Sequence, residues 1–250
     1  MVPRTIRLVA STVTSTGASA VAVCALLGTL AACTGNSAGG ASGGAGGAST
    51  SAAQHDVPNG VALVKSLLPV SALPTGFTED STGASNSGAT LSGAAPTVDL
   101  GSATCSTILN TLGQPGFGEA AFADDSFTPA DSLGEFDEML FEFHGGGAAA
   151  FVSQLRAALG RCGSFNASDD TGGVEAAKLT VATPPKLGSS ALSFSVWVKI
   201  GTADMVMTDV AVQSGTAVVF VDNSTLATAP DAVNLSNLAS QLLAQLPSTP

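Results

Sequence analysis

Apolar and polar residues alternate most regularly in the C-terminal half of the chain. Over Leu192–Ile200, five apolar residues alternate with Ser193, Ser195, Trp197 and Lys199. A period of two is typical of a β-strand whose two faces differ in polarity. Ser214-Gly215 is a hairpin turn signal between two of the further strands that the pattern predicts. Those strands are Asp137–Phe143, Val174–Thr183, Met205–Val212 and Thr216–Asp222.

Apolar residues spaced three and four apart indicate helices elsewhere. They predict helices over Val61–Leu68, Cys105–Leu112, 148–161 and 235–246, the last of them capped by Asn234. Helices and hairpin-linked strands are segregated along the chain rather than alternating. This order predicts an α+β fold, with helices packed on one face of an antiparallel β-sheet and with one disulfide.

The N-terminal residues have a different pattern. Arg4 and Arg7 precede a short apolar run that ends at Leu30-Ala31-Ala32-Cys33. The run is shorter than the roughly 20 residues that span a bilayer, and it fits a secretory signal. The Leu-Ala-Ala-Cys motif resembles the lipobox of bacterial lipoproteins, and this resemblance implies cleavage before Cys33 and its acylation, palmitate included. An ordinary secretory signal with a chance cysteine is the alternative.

We therefore expect residues 1–32 to be a lipoprotein signal peptide and residues 33–53 to be the lipidated cysteine and its tether. Between 34 and 53 the chain contains only Thr, Gly, Asn, Ser and Ala. Such a chain behaves as a flexible coil, with an end-to-end distance of roughly 25 Å. Residues 54–250 are expected to form a single extracytoplasmic α+β domain, anchored through lipid on the outer face of the cell membrane.

The charge balance narrows the range of partners. Without Arg4 and Arg7, six Lys and Arg residues face 19 Asp and Glu residues, a net charge of −13. An acidic surface disfavours nucleic acid and anionic headgroups, so we expect no nucleic-acid partner. The abundance of Ala, Gly and Thr and the absence of Tyr are typical of a high-GC genome and indicate an actinobacterial source.

Cys105 and Cys162 are the two cysteines of the predicted domain. In an oxidising compartment they are expected to form a disulfide between two helices. The bridge would close a loop of about 58 residues. By restricting the unfolded chain, such a bridge stabilises the folded protein by about 4 kcal/mol. Two buried free thiols are the alternative.

Two glycine-containing segments resemble esterase motifs. His144–Gly147 resembles an oxyanion segment, and Gly40–Gly44 fits G-x-S-x-G around Ser42. We reject both, because Ser42 lies in the predicted tether and no histidine follows His144 to serve as the base. The glycines are expected to make a tight connection between a strand and a helix. Anion binding beside His144, at the start of that helix, remains the alternative.

The densest group of charges lies between residues 124 and 142. We expect a solvated face there, with a calcium site or a pair of carboxylates for glycoside hydrolysis as alternatives. A zinc site is not expected, because His55 lies at the end of the tether and the cysteines are expected to pair. We expect no metal and no cofactor. The acidic residues are Asp124, Asp125, Asp131, Glu135, Asp137, Glu138 and Glu142.

Trp197 lies on the more polar face of the clearest strand. It either contacts a ligand or packs under a helix, and the pattern favours packing. The opposite face, with Val196, Val198 and Ile200, must be covered by helices or line a cavity. In a lipid carrier, those three residues would contact the lipid.

The helix over 148–161 carries a pattern with a counterpart in known proteins. The pattern is the spacing of five apolar residues and one cysteine along and just after this helix, with strands and a closing helix following it. This arrangement resembles PknH-like extracellular sensor domains and related actinobacterial lipoproteins, over roughly residues 100–246. The resemblance implies a helix-backed antiparallel sheet with a cleft for an unidentified ligand. It also implies a second disulfide, for which the predicted domain over residues 54–250 has no further cysteines. The residues that carry it are Ala150, Phe151, Leu155, Leu159, Cys162 and Phe165.

These observations predict a non-enzymatic, membrane-anchored extracytoplasmic lipoprotein with a ligand-binding, sensor-like domain. Its partners are the membrane, through the lipid on Cys33, and a small molecule, lipid or envelope component. Trp197 and His144 are the candidate ligand contacts, and no residue is expected to be catalytic. The alternatives are a lipid or glycolipid carrier of the LprG/LppX type and an envelope hydrolase that uses Glu138 and Glu142.

Overall fold

The computed structural model describes residues 57–91, 96–130, 134–168, 174–200, 203–227 and 233–247, without the side chains of Ser168 and Ile200. The predicted signal peptide, Cys33 and the tether lie outside the described residues, as do His55 and Asp131. No helix in the described ranges is long and apolar enough to cross a membrane.

Within those ranges, nine antiparallel strands form one sheet. Their order is β1-β3-β4-β9-β8-β7-β6-β5, and β2 pairs with Ala123 and Asp124 of β3. The last five strands in sequence form a meander whose final strand, β9, returns to pair with β4. The strands are β1 (Phe77–Glu79), β2 (Ser85–Asn86), β3 (Ala121–Pro129), β4 (Gly134–Glu142), β5 (Ser164–Ser168), β6 (Val174–Ala182), β7 (Ser190–Ile200), β8 (Ala203–Ser214) and β9 (Ala217–Leu226).

Four α-helices in the part of the chain that the structure describes pack against this sheet. Side-chain oxygens of Asn59, Thr104 and Asn234 accept hydrogen bonds from the backbone three residues later and so cap three of them. The predicted cap at Asn234 is thereby confirmed. The helices are α1 (Gly60–Val64), α2 (Cys105–Thr111), α3 (Gly147–Leu159) and α4 (Leu235–Gln245), with a 3-10 turn at Val70–Ala72.

The predicted α+β class, with an antiparallel sheet, packed helices and a disulfide, is confirmed. The helices, however, cover both faces of the sheet. Met139, Phe141 and Phe220 lie in the core under α2 and α3, on what we name the α3 face. Leu140 and Val219 lie in the core under α1 and α4, on the α4 face. β4 and β9 carry apolar residues at both alternating positions, so both faces require cover, rather than the one that the pattern predicted.

Four of the nine strands were not predicted from the sequence: the very short β1 and β2, and also β3 and β5. β3 has the sequence Ala-Phe-Ala-Asp-Asp-Ser-Phe-Thr-Pro, in which adjacent acids interrupt the apolar alternation. β5 has only five residues and lies at the edge of the sheet. Polar and short strands carry little periodicity, and pairing with a neighbour stabilises them instead.

The disulfide between Cys105 and Cys162 is present, which confirms the pairing and excludes the alternative of free thiols. Cys105 is the first residue of α2. Cys162 lies three residues beyond the last residue of α3, rather than on the face of that helix as predicted. The bridge ties the start of one helix to the end of the other on the α3 face.

Candidate functional site

An open groove of about 600 Å³ lies over one end of strands β5 to β8. Ser164, Lys178 and Trp197 form one cross-strand row over β5, β6 and β7, on the α4 face. This part of the sheet is exposed because α4 packs on β8 and β9, while α1 packs on β3. The volume lies within the range of small-molecule sites. The lining residues are Ser164, Phe165, Asn166, Ala176, Ala177, Lys178, Trp197, Val198, Lys199 and Asp204.

Trp197 is 46% exposed. The expectation that it packs under a helix is therefore wrong. Its strand and its face were predicted correctly, but its exposure depends on where α4 docks. Because α4 docks two strands away from β6, the indole remains open to solvent beside Lys178, its direct cross-strand neighbour.

The charged groups of the groove are Lys178, Lys199 and Asp204. The Lys199 Nζ lies 3.5 Å from the Asp204 Oδ1, and both side chains are more than half exposed, at 59% and 54%. Lys178 is exposed and forms no ion pair with any residue that the structure describes. The groove therefore has a local charge of +1 in a strongly acidic chain.

Breaking the ion pair between Lys199 and Asp204 should barely change the stability of the protein. Exposed pairs of this kind contribute roughly 0–1 kcal/mol, since solvent screens both charges. We expect Lys199→Gln to lower the free energy of unfolding in urea by less than about 1 kcal/mol. A much larger loss would contradict this and would show that the pair holds β7 to β8.

A second depression, of about 420 Å³, lies on the same face where α4 begins. Ser193, Thr208 and Asn234 are among its lining residues. The hydroxyl groups of Ser195 on β7 and Thr208 on β8, 3.3 Å apart, lie between Ser193 and Trp197. A strip of hydroxyl groups thus links the two depressions.

His144, the second candidate ligand contact, is exposed in the connection between β4 and α3. Gly145 has a φ of +53°, and a Cβ at Gly147 would lie 2.9 Å from the Cβ of Phe143. The glycines therefore make the tight connection that was predicted. Trp197 lies in the same cross-strand row as Gly134, at the start of β4. His144 follows the other end of β4, ten residues after Gly134, so His144 and Trp197 are roughly 30 Å apart along the strand direction. The structure does not bring the two candidates together.

The prediction of a solvated acidic face is wrong for most of its members. Asp125, Asp137, Glu138 and Glu142 are buried, because helices cover both faces of the sheet around β3 and β4. Large apolar residues at both alternating positions of β4 were the sequence signal that both faces are covered. Among the described residues, no group of three His, Cys, Asp or Glu side chains is arranged to hold a metal ion.

Glu138 and Asp125 are direct cross-strand neighbours on the α4 face. The Glu138 Oε1 accepts a hydrogen bond of 2.7 Å from the backbone N–H of Leu68. Burial raises the pKa of Glu138 to about 9, against the hydrogen bond from Leu68 and with repulsion from Asp125. Burial likewise raises the pKa of Asp125 to about 6. Glu138 is therefore a neutral acid at pH 7.

Three aspartates lie in register across the opposite, α3 face. Asp137 on β4 pairs with Asp222 on β9, which pairs with Asp209 on β8. The Ser126 hydroxyl donates a hydrogen bond to Asp137. Burial, followed by repulsion from Asp137, raises the pKa of Asp209 well above its usual range. This row is part of the sheet interior rather than of the groove.

The hydrolase hypothesis required Glu138 and Glu142 to reach a substrate. They are 0% and 3% exposed. Their Cα atoms are four residues apart along β4, roughly 13 Å. Burial also raises the pKa of Glu142, against a hydrogen bond from Thr216. The shielded acid that glycoside chemistry needs is present, but neither carboxyl lines a groove described above.

The carrier hypothesis required lipid to contact Val196, Val198 and Ile200. Val196 and Val198 are buried in the core on the α3 face, which also contains Leu155 of α3. Helix side chains therefore occupy the place where the carrier hypothesis puts lipid. The side chain of Ile200 lies outside the described residues.

The fold is similar to that of the extracellular domain of PknH from Mycobacterium tuberculosis. The TM-score is 0.52 at 12% sequence identity, and the match covers 76% of this chain and 97% of that one. No family model matches the sequence, and no curated protein matches it. The resemblance to PknH-like domains is therefore confirmed at the level of the fold.

Proposed function

We propose that this chain is a non-enzymatic, lipid-anchored extracytoplasmic domain that binds a small molecule or envelope component in the groove at Trp197. The observation that carries the proposal is an exposed indole on an uncovered sheet face, surrounded by polar side chains. Binding sites combine an apolar contact with a few polar groups that fix orientation. Trp197, Lys178 and Asn166 supply these parts from three neighbouring strands.

The proposed location rests on the N-terminal pattern. Residues 1–32 would be the lipoprotein signal peptide, and lipid on Cys33 would hold the domain on the outer face of the membrane through the tether over residues 34–53. A disulfide between Cys105 and Cys162 fits an oxidising compartment. The similarity to the extracellular domain of PknH supports the same placement.

We propose a non-enzymatic role because the acidic side chains whose pKa values are raised lie away from the groove. Catalytic acids and bases need a perturbed pKa together with access to a substrate. The pKa values of Glu138 and Asp209 are raised, but both residues are buried in the sheet. Neither lines the groove at Trp197.

Native mass spectrometry tests the groove directly. The full-length protein is equilibrated with a small-molecule extract of the envelope of the cells that make it, and is then separated from free compounds. We expect a retained compound on the wild-type protein and none on Trp197→Ala, because truncation removes the apolar surface of the site.

Val181→Ala is the matched control, because Val181 is also an exposed apolar residue (52%) but does not line the groove. This variant should retain the compound. A wild-type protein that retains nothing, or equal retention by Trp197→Ala and the wild type, would overturn the proposed site.

A further inference from the structure

Two of the six Lys and Arg residues that follow the predicted signal peptide line one groove, on either side of the single tryptophan. We propose that this groove binds an anionic sugar, a pyranose ring that carries a carboxylate or a phosphate group. The inference rests on the proposed function and specifies the ligand of the same site. Its basis is that Lys178 on β6 lies directly across from Trp197, and that Lys199 lies two residues further along β7 on the same face.

Trp197 supplies a flat surface for the ring. The face of an indole is electron-rich, and the C–H groups on one side of a pyranose ring are polarised positively, so the two surfaces attract each other. Trp197 projects from the long strand β7, which is paired on both sides, so the backbone that carries the indole is fixed. The exposed Ser164 and Asn166 lie at the outer strand and can hydrogen-bond to sugar hydroxyls.

The polar lining argues against a purely apolar ligand. A lipid chain over Trp197 would cover Lys178, Ser164 and Asn166 without giving them hydrogen-bond partners, and unpaired polar groups are costly to bury. The groove is also open to water along its length, whereas lipid chains require enclosure. A ring with one apolar side and several hydroxyl groups satisfies both kinds of surface.

The charge of the groove specifies an anionic sugar. Asp204 already pairs with Lys199, whereas Lys178 has no ionic partner among the described residues. One negative group on the ring would pair with Lys178, and the groove would then be neutral. A hydrogen bond between charged partners is about twice as strong as a neutral one. The rest of the protein surface is acidic and repels anions. A preference for an anionic over a neutral sugar therefore has to come from these lysines.

The experiment uses the intrinsic fluorescence of the full-length protein. Trp197 is the only tryptophan and the chain has no tyrosine, so the signal reports on the groove alone. The probes are trigalacturonic acid, glucose 6-phosphate, neutral maltotriose and inorganic phosphate. We expect a saturable change with at least one anionic sugar and binding at least tenfold weaker for maltotriose and for phosphate.

Lys178→Gln should weaken the binding of the anionic sugar by about tenfold, and added salt should weaken it further. Lys186→Gln is the matched control, since Lys186 is an exposed lysine in the connection between β6 and β7 and does not line the groove. A response only to trigalacturonic acid would indicate an acidic polysaccharide, and a response only to glucose 6-phosphate would indicate a phosphorylated glycan or glycolipid headgroup.

Equal affinity for maltotriose, an unchanged affinity in Lys178→Gln, or no response to either anionic sugar would overturn the inference. The outcome is separable from that of the proposed function. If the envelope extract yields a compound that Trp197→Ala loses while both anionic sugars fail, the groove is a site for another ligand. If the extract also fails, both proposals fall.

Discussion

Glu138→Gln should make the protein more stable than the wild type at pH 8 and should flatten the dependence of its stability on pH. The pKa of Glu138 is about 9 in the folded protein and near 4.5 when the chain unfolds. Between these values the folded state holds a proton that the unfolded state has released. The stability of the wild type should therefore fall as pH rises from about 4.5 to about 9.

The size of this effect follows from proton linkage. One proton held only by the folded state changes the free energy of unfolding by up to about 1.4 kcal/mol for each pH unit. Glutamine has the shape of the neutral acid, so its Oε1 can keep the hydrogen bond from the N–H of Leu68. Asp209 and Asp125 keep their raised pKa values, so part of the slope should remain in the variant.

Urea unfolding at pH 5, 6.5 and 8 measures this slope. Glu175→Gln is the matched control, because Glu175 is a half-buried residue of β6 away from the buried acids of β3 and β4. We expect the control to follow the wild type and Glu138→Gln to depart from both above pH 5. Parallel curves for Glu138→Gln and the wild type would show that Glu138 is ionised in the folded protein.

Removal of the disulfide should cost about 4 kcal/mol of stability. Cys105 and Cys162 are 57 positions apart, so the bridge restricts a long loop of the unfolded chain. The double variant Cys105→Ala, Cys162→Ala should unfold at a clearly lower urea concentration.

A reductant provides the control for this prediction. Dithiothreitol should lower the urea midpoint of the wild type towards that of the double variant and leave the double variant unchanged. A wild-type midpoint that does not respond to the reductant, with both thiols shown to be free, would contradict the assigned contribution of the bridge.

Local pattern was enough to predict most of the elements. Leu192–Ile200 lies within β7, and Cys105–Leu112 nearly coincides with α2. Both segments have a regular spacing of apolar residues, which is the strongest sequence signal of secondary structure. The two-sided cover of the sheet was missed, although Leu140 and Phe141 on adjacent positions of β4 both required burial. An apolar residue on each side of a strand indicates two covered faces even where acids lie between them.

The site was only partly predictable, because it depends on register and on helix docking. Trp197 was placed on the correct face of its strand, but its exposure follows from the docking of α4 on β8 and β9. Its neighbour Lys178 is 19 positions away and adjoins it through the pairing of β6 with β7. The row of Asp137, Asp209 and Asp222 likewise exists only once three strands are aligned.

The proposed ligand site is the groove at Trp197. The most direct measurement is a ¹H–¹⁵N NMR titration of the full-length protein with its envelope extract, because the single tryptophan gives one indole N–H signal. We predict that this signal shifts together with the backbone signals of Lys178 and Asn166. Shifts confined to the connection at His144, or to core residues such as Val196 and Leu155, with Trp197 unmoved, would contradict the account.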